Sequence, residues 1–209
     1  MLFFQGDYAK AEPHLRTALD MQPKLTKIQA LLGMAEKRTG DPADARTHLE
    51  TSFAAVDEPK LKVQVGMELV ELYTATQDLA KASSVVNAMR QADPANPAVL
   101  YAAYRVYSDL AGEAMLSLAL AAPDSAQMHL VMAHEEVKQG NNAGARVQYQ
   151  KAIEIDPQRA VAYANLADAY MKLGKTTEAL KYYEKYAEMA PNSPSIEYVR
   201  KRIEELKGR

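Results

Sequence analysis

Prolines close successive segments of this sequence at a fixed interval: Pro123, Pro157 and Pro191 stand 34 residues apart. The two segments they bound repeat one another. Gly140 aligns with Gly174, Ala145 with Ala179, Tyr149 with Tyr183, Met132 with Leu166 and Ala133 with Ala167. Self-similarity at this period is the signature of a solenoid built from helix–turn–helix units. The frame continues toward the start of the chain. Leu69, Tyr73, Ala82, Val86 and Pro94 fall in matching places, as do Leu32, Gly33, Gly40, Ala45 and Leu49. Before them, Gly6, Tyr8, Ala11, Leu15, Ala18 and Pro23 supply the end of one unit and its whole second helix.

Each recurring residue has a physical task. Gly33, Ala133, Ala167, Ala145 and Ala179 let antiparallel helices approach closely, and Leu32, Met132, Leu166, Tyr149 and Tyr183 fill the space beside those contacts. Gly40, Gly140 and Gly174 end first helices, where a left-handed residue is needed. The prolines stop second helices because they lack a donor and clash with the preceding turn. No unit buries its apolar face alone, so stacking completes the core. The pattern predicts helices over 7–21, 25–39, 43–56, 60–76, 78–91, 97–109, 111–121, 125–139, 142–155, 159–173, 176–189 and 194–207.

On these residues the chain resembles the tetratricopeptide repeat (TPR) family over nearly its full length. The resemblance implies an all-α fold, a right-handed α-solenoid of antiparallel helix pairs with a C-terminal capping helix. One array is expected over 1–209: a half repeat at 1–23, repeats at 26–59 and 63–94, a shortened repeat at 97–123, repeats at 126–157 and 160–191, and a cap at 194–207. In the cap, Ile196, Val199, Ile203 and Leu206 form one apolar stripe.

Two places depart from the pattern. Between Pro94 and Pro123 the interval shrinks to 29, and the Gly-x-Tyr turn between the helices is missing. The expectation is a degenerate repeat with a tight turn near Ser108–Gly112. Tyr101, Tyr104 and Tyr107, spaced by three, share a broad face there. The other departure is the half repeat, whose apolar Leu2, Phe3 and Phe4 lack a polar cap. It suggests a C-terminal piece of a longer protein, or self-association through this open end.

Composition excludes several function classes. A formal net charge of -2 gives no basic footprint for nucleic acid. No run of apolar residues is long enough to span a membrane, and the opening MLFFQGDYAK lacks the basic and apolar regions of a signal peptide. There is no cysteine, hence no disulfide or thiolate chemistry. HEEVK at 134–138 begins like a metalloprotease helix, but Lys138 stands where the second histidine belongs. His129 and His134 are about 140° apart around a helix, and His14 and His48 add no ligand spacing. No phosphate-binding glycine loop occurs. The ten methionines read as gap-fillers between helices. No enzyme, metal site or cofactor is expected.

The resemblance implies that the first helices of successive repeats line a concave face where a peptide or partner protein docks. Carried onto this chain, the candidates are Met34, Lys37, Arg38, Glu68, Glu71, Tyr101, Arg105, Gln127, His134, Lys138, Asn165, Asp168 and Lys172, with Gln64, Thr74 and Ser108 beside them. Some members clamp a peptide's terminal carboxylate with two lysines, two asparagines and an arginine. Only Asn165 fits that set, so the tails of heat-shock chaperones are not the expected ligand. The expected function is a non-catalytic protein–protein interaction scaffold; the alternative is the TPR appendage of a larger enzyme, signalling or envelope-export protein.

Overall fold

In regular repeats a left-handed residue reverses the chain. Gly40, Gly140 and Gly174 have φ of 100°, 78° and 74°. After each, an amide reaches back across the helix end: Asp41 N–H to Glu36 O, Asn141 N–H to Glu136 O and Lys175 N–H to Tyr170 O. After Gly40 and Gly140 the next helix starts on a side-chain cap. Asp41 Oδ1 accepts from Asp44 N–H, and Asn141 Oδ1 accepts from Gly144 N–H.

The computed structural model describes residues 2–208, and those residues are helical with no strand. A short 3-10 helix, Leu2–Gln5, precedes α1 (Tyr8–Met21), α2 (Thr26–Thr39), α3 (Pro42–Ala55), α4 (Pro59–Ala75) and α5 (Leu79–Ala92). Then come α6 (Pro97–Ala121), α7 (Ala126–Lys138), α8 (Asn142–Ile155), α9 (Ala160–Lys172), α10 (Thr176–Met189) and α11 (Ile196–Lys207). The chain divides into two compact units, Met1–Glu113 and Ala114–Arg209. Each is a stack of helix pairs with its own core.

The first unit is centred on Leu49, Val65, Leu69, Val86, Met89 and Val99. Its helices touch where glycine replaces a side chain. A Cβ on Gly33 would lie 2.8 Å from Leu49 Cγ and 3.1 Å from the Ala45 carbonyl oxygen. A Cβ on Gly66 of α4 would meet Met89 Sδ at 2.5 Å. Glu36 is fully buried between these helices. It accepts from Arg16 at 2.8 Å and lies 2.7 Å from His48 Nδ1, so its charge has partners from α1 and α3. Burial lifts its carboxyl above the ordinary range against the pull of His48 and Arg16.

The second unit packs Ala133, Ala145, Tyr149, Leu166, Ala167, Ala179, Tyr183 and Val199. Its alanines are the small residues of the repeat pattern. The cap α11 joins this core through Ile196 and Val199, with Ile203 and Leu206 packed beside them. Met132, expected as a filler, is 38% exposed instead.

The turn expected near Ser108–Gly112 does not form, and 97–109 and 111–121 are one helix, α6. The reason is local. Gly112 does not take the left-handed conformation, and Glu113 follows it where the α2–α3 and α7–α8 turns place a capping Asp or Asn. The flanking Leu110, Ala111, Ala114, Met115 and Leu116 are strong helix formers, and one glycine costs a helix only about 1 kcal/mol.

In the α4–α5 turn the left-handed position is held by Gln77, at φ 58°. Replacing it with glycine (Gln77→Gly) should raise stability by up to about 1 kcal/mol, because a side chain is strained there. Gly33→Val should lower it by about 2 kcal/mol through overpacking against Leu49. Urea unfolding of both variants against wild type measures each change.

Candidate functional site

In the first unit the predicted groove charges are spent on one another. Arg38 donates from both terminal nitrogens to Glu68, at 3.0 and 2.9 Å. Lys37 donates to Glu68 at 2.5 Å and also to Glu71. This is a fork-on-carboxylate pair with an ammonium on the same acid, joining α2 to α4. Burial pushes the Glu68 carboxyl up, but the Arg38 and Lys37 hydrogen bonds outweigh it and leave it below the ordinary range.

Met34, Arg38 and Glu68 line a cavity of about 490 Å³ with Gln64 and Met67. Phe3, Phe4 and Tyr8 form part of its wall. The apolar start of the chain is thus partly covered. Leu2 and Phe3 are half-buried, and Phe3 meets Tyr8 edge-on at 5.2 Å. Phe4 remains 72% exposed.

In the second unit, His134 of α7 and Asn165, Asp168 and Lys172 of α9 line one cavity of about 360 Å³. Tyr198 and Arg202 of α11 complete the wall, with Tyr149 and Tyr183 behind it. Asp168 is the hub. Its Oδ1 accepts from the Tyr183 hydroxyl and, at 2.9 Å, from the Tyr198 hydroxyl. Arg202 Nε donates to Tyr198 at 3.3 Å, and its guanidinium lies 5.3 Å from the Tyr198 ring centre. Asn165 Nδ2 and His134 Nε2 share a hydrogen bond of 3.2 Å. Burial, with Asp168 adding to it, pushes the Tyr183 hydroxyl far above its ordinary value, and burial pushes Tyr149 up to about 12. Both tyrosines therefore stay neutral donors at physiological pH.

The other candidates are not gathered here. Lys138 pairs with Glu135 on its own helix at 2.6 Å, Gln127 is exposed outside the cavity, and Tyr101 and Arg105 lie on the exposed face of α6. Tyr198 and Arg202 were missed because α11 reads as a polar cap. The period could have found Arg202, since His134, Asp168 and Arg202 stand 34 residues apart. A capping helix still occupies the place of a first helix and keeps its inward positions. Among the described residues no group of three or more His, Asp or Glu could hold a metal ion, and no helix is long and apolar enough to cross a membrane.

Because the folded Glu68 carboxyl is held low, the stability it contributes is present above its unfolded value and is lost as pH falls through its folded value. Glu68→Gln should cost about 1–2 kcal/mol at neutral pH. Urea unfolding of wild type and variant should show that difference shrinking once pH drops well below the ordinary glutamate range.

Comparison with known proteins bears on what such a stack is. A family model described as a TPR repeat matches residues 133–174, and two described as tetratricopeptide repeats match 160–193 and 2–62. Curated proteins give no match. Among solved structures, the TPR2AB domain of yeast Sti1 in its pHSP90 complex is similar at 18% identity, over 99% of this chain and 79% of that one, with a TM-score of 0.50. A tetratricopeptide repeat protein from Parabacteroides merdae is similar at 20% identity, over 99% and 83%, with a TM-score of 0.48. At such identities the likeness is one of fold. The matched models, the 34-residue period and the glycine-turned helix pairs agree: the chain belongs to the tetratricopeptide repeat family.

Proposed function

We propose that the chain is a non-catalytic protein–protein interaction scaffold, and that the cavity of its second unit receives an extended segment of a partner protein. One observation carries the reading. His134, Asn165, Asp168 and Lys172, singled out by their place in the repeat, line a single cavity of a size that suits side chains of a ligand.

The chemistry of that cavity narrows the ligand. Asp168 Oδ1 is occupied by two tyrosine hydroxyls, about half of the carboxylate's acceptor capacity. Lys172 is exposed at the rim, and Arg202 projects beside it with donors beyond its bonds to Tyr198 and Glu205. Val137, Ala169 and Met171 supply an apolar wall. This fits a segment with an acidic side chain next to an apolar one. Self-association through Leu2, Phe3 and Phe4 has less support, because Phe3 already packs on Tyr8.

The test is an array of extended peptides carrying acidic–apolar pairs, with glutamine-for-glutamate counterparts. The expected result is binding of the acidic set only, weakened about tenfold by Lys172→Ala or Arg202→Ala. The exposed Lys151→Ala on α8 serves as control and should bind as wild type does. Equal binding by Lys172→Ala, Arg202→Ala and wild type would sink the assignment of the cavity.

A further inference from the structure

The cavity of the second unit holds one pair whose polarity a single proton can invert. Asn165 Nδ2 lies 3.2 Å from His134 Nε2. An amide nitrogen only donates, so Nε2 accepts, and the proton of the neutral ring sits on Nδ1. A free imidazole in water prefers the opposite tautomer, so the amide selects this one. Tyr149 of α8 meets the imidazole edge-on, with ring centres 5.9 Å apart. The other end of the amide, Asn165 Oδ1, has no hydrogen bond among the described residues, and Asn165 lines the cavity.

We propose that protonation of His134 turns the Asn165 amide over, so that the cavity exchanges an acceptor for a donor, gains a charge, and holds an acidic segment more tightly as pH falls. The binding half of this inference rests on the ligand reading above. A protonated ring donates from Nε2 as well as from Nδ1. Two donors then face one another, and the pair is restored only when Oδ1 turns to the ring. That turn carries Nδ2 to the place Oδ1 held. One proton thus changes two groups on the wall in the same direction. His134 is exposed, so the ring exchanges protons with solvent.

The charges around the ring make the step decisive, because they nearly cancel without it. On α7 itself, Lys138 is paired with Glu135 at 2.6 Å. From α9 come Asp168 and Lys172, of opposite sign, and from α11 comes Arg202, paired with Glu205 at 3.0 Å. From α8, α10 and α11 come the hydroxyls of Tyr149, Tyr183 and Tyr198. Burial keeps the first two neutral. A proton on His134 therefore gives the cavity its net positive charge. An acid bound beside the ring favours the charged form in turn, so ligand uptake and proton uptake reinforce each other.

The switch is read first in the free protein, by nitrogen–proton correlation spectra of the imidazoles and side-chain amides. Loss of one set of signals in His134→Gln assigns that ring among the four histidines. The neutral ring should carry its proton on Nδ1 at about pH 8, and the Asn165 amide should shift in step with His134 as pH falls to about 5, the window in which histidine changes charge. In His134→Gln that amide should stay still. Asn165→Leu should return the neutral ring to the Nε2–H tautomer, which a merely structural asparagine would not do. An Nε2–H tautomer in wild type at about pH 8, or an Asn165 amide indifferent to the titration of His134, overturns the proposal.

The binding arm uses the acidic peptides described above. Their Kd should fall at least about threefold between about pH 8 and about pH 6, where their carboxylates stay ionised. His134→Gln should bind equally at the two pH values, and Asn165→Leu should keep only part of the wild-type change. A wild-type affinity that ignores pH, or an equal pH dependence in His134→Gln, overturns the proposal. If no acidic peptide binds at either pH, the ligand reading falls, and the spectra of the free protein alone decide the switch.

Discussion

Everything in each unit depends on how closely two helices of a pair can approach. At Gly33 the facing Leu49 Cγ stands where a Cβ would need to be, and at Gly66 the Met89 sulfur does the same. Where alanine takes this role, as at Ala133, Ala145, Ala167 and Ala179, the methyl group is fully buried. Close approach leaves room for one large side chain beside each small one, and Leu32, Leu166 and Tyr183 take those places without solvent contact. The turns serve the same end. In the α2–α3, α4–α5 and α7–α8 turns a left-handed residue followed by an Asp or Asn cap reverses the chain within two residues, so the second helix starts already against the first.

Once the helices are set, the exposed faces of the first helices acquire their chemistry by default, and the two units spend it differently. In the first, α2 offers two cations and α4 two acids at matching heights, and they neutralise one another. The cavity there has a paired-charge wall and an apolar wall completed by Phe3 and Phe4. In the second, α9 offers one acid, and tyrosines from α10 and α11 take up one of its oxygens. Lys172 and part of Arg202 are left with donors to give. That difference in residual hydrogen-bonding capacity makes the second cavity the better candidate for a polar ligand.

The helix pairs were legible in the sequence because their determinants are local and repeated. Ten of the predicted helices lie within about two residues of those in the structure, since glycine, cap and proline mark their ends. Side-chain pairing was not legible. Lys37, Arg38, Glu68 and Glu71 were each identified as groove residues, yet their mutual neutralisation depends on α2 and α4 lying side by side, separated by some thirty residues of chain. Tyr198 was missed because its inward aim is set by the docking of α11, and the hydropathy pattern registers only the Ile196 and Val199 stripe that docks it. The turn in 97–121 was wrongly expected because the period was allowed to stand in for turn chemistry that Gly112 and Glu113 do not supply.

That failure explains why α6 is the unusual element. From Ala111 onward it keeps the composition of a second helix, made to be covered by the first helix of its own repeat. Without the turn, that covering never forms, and a segment rich in Leu, Met and Ala faces solvent.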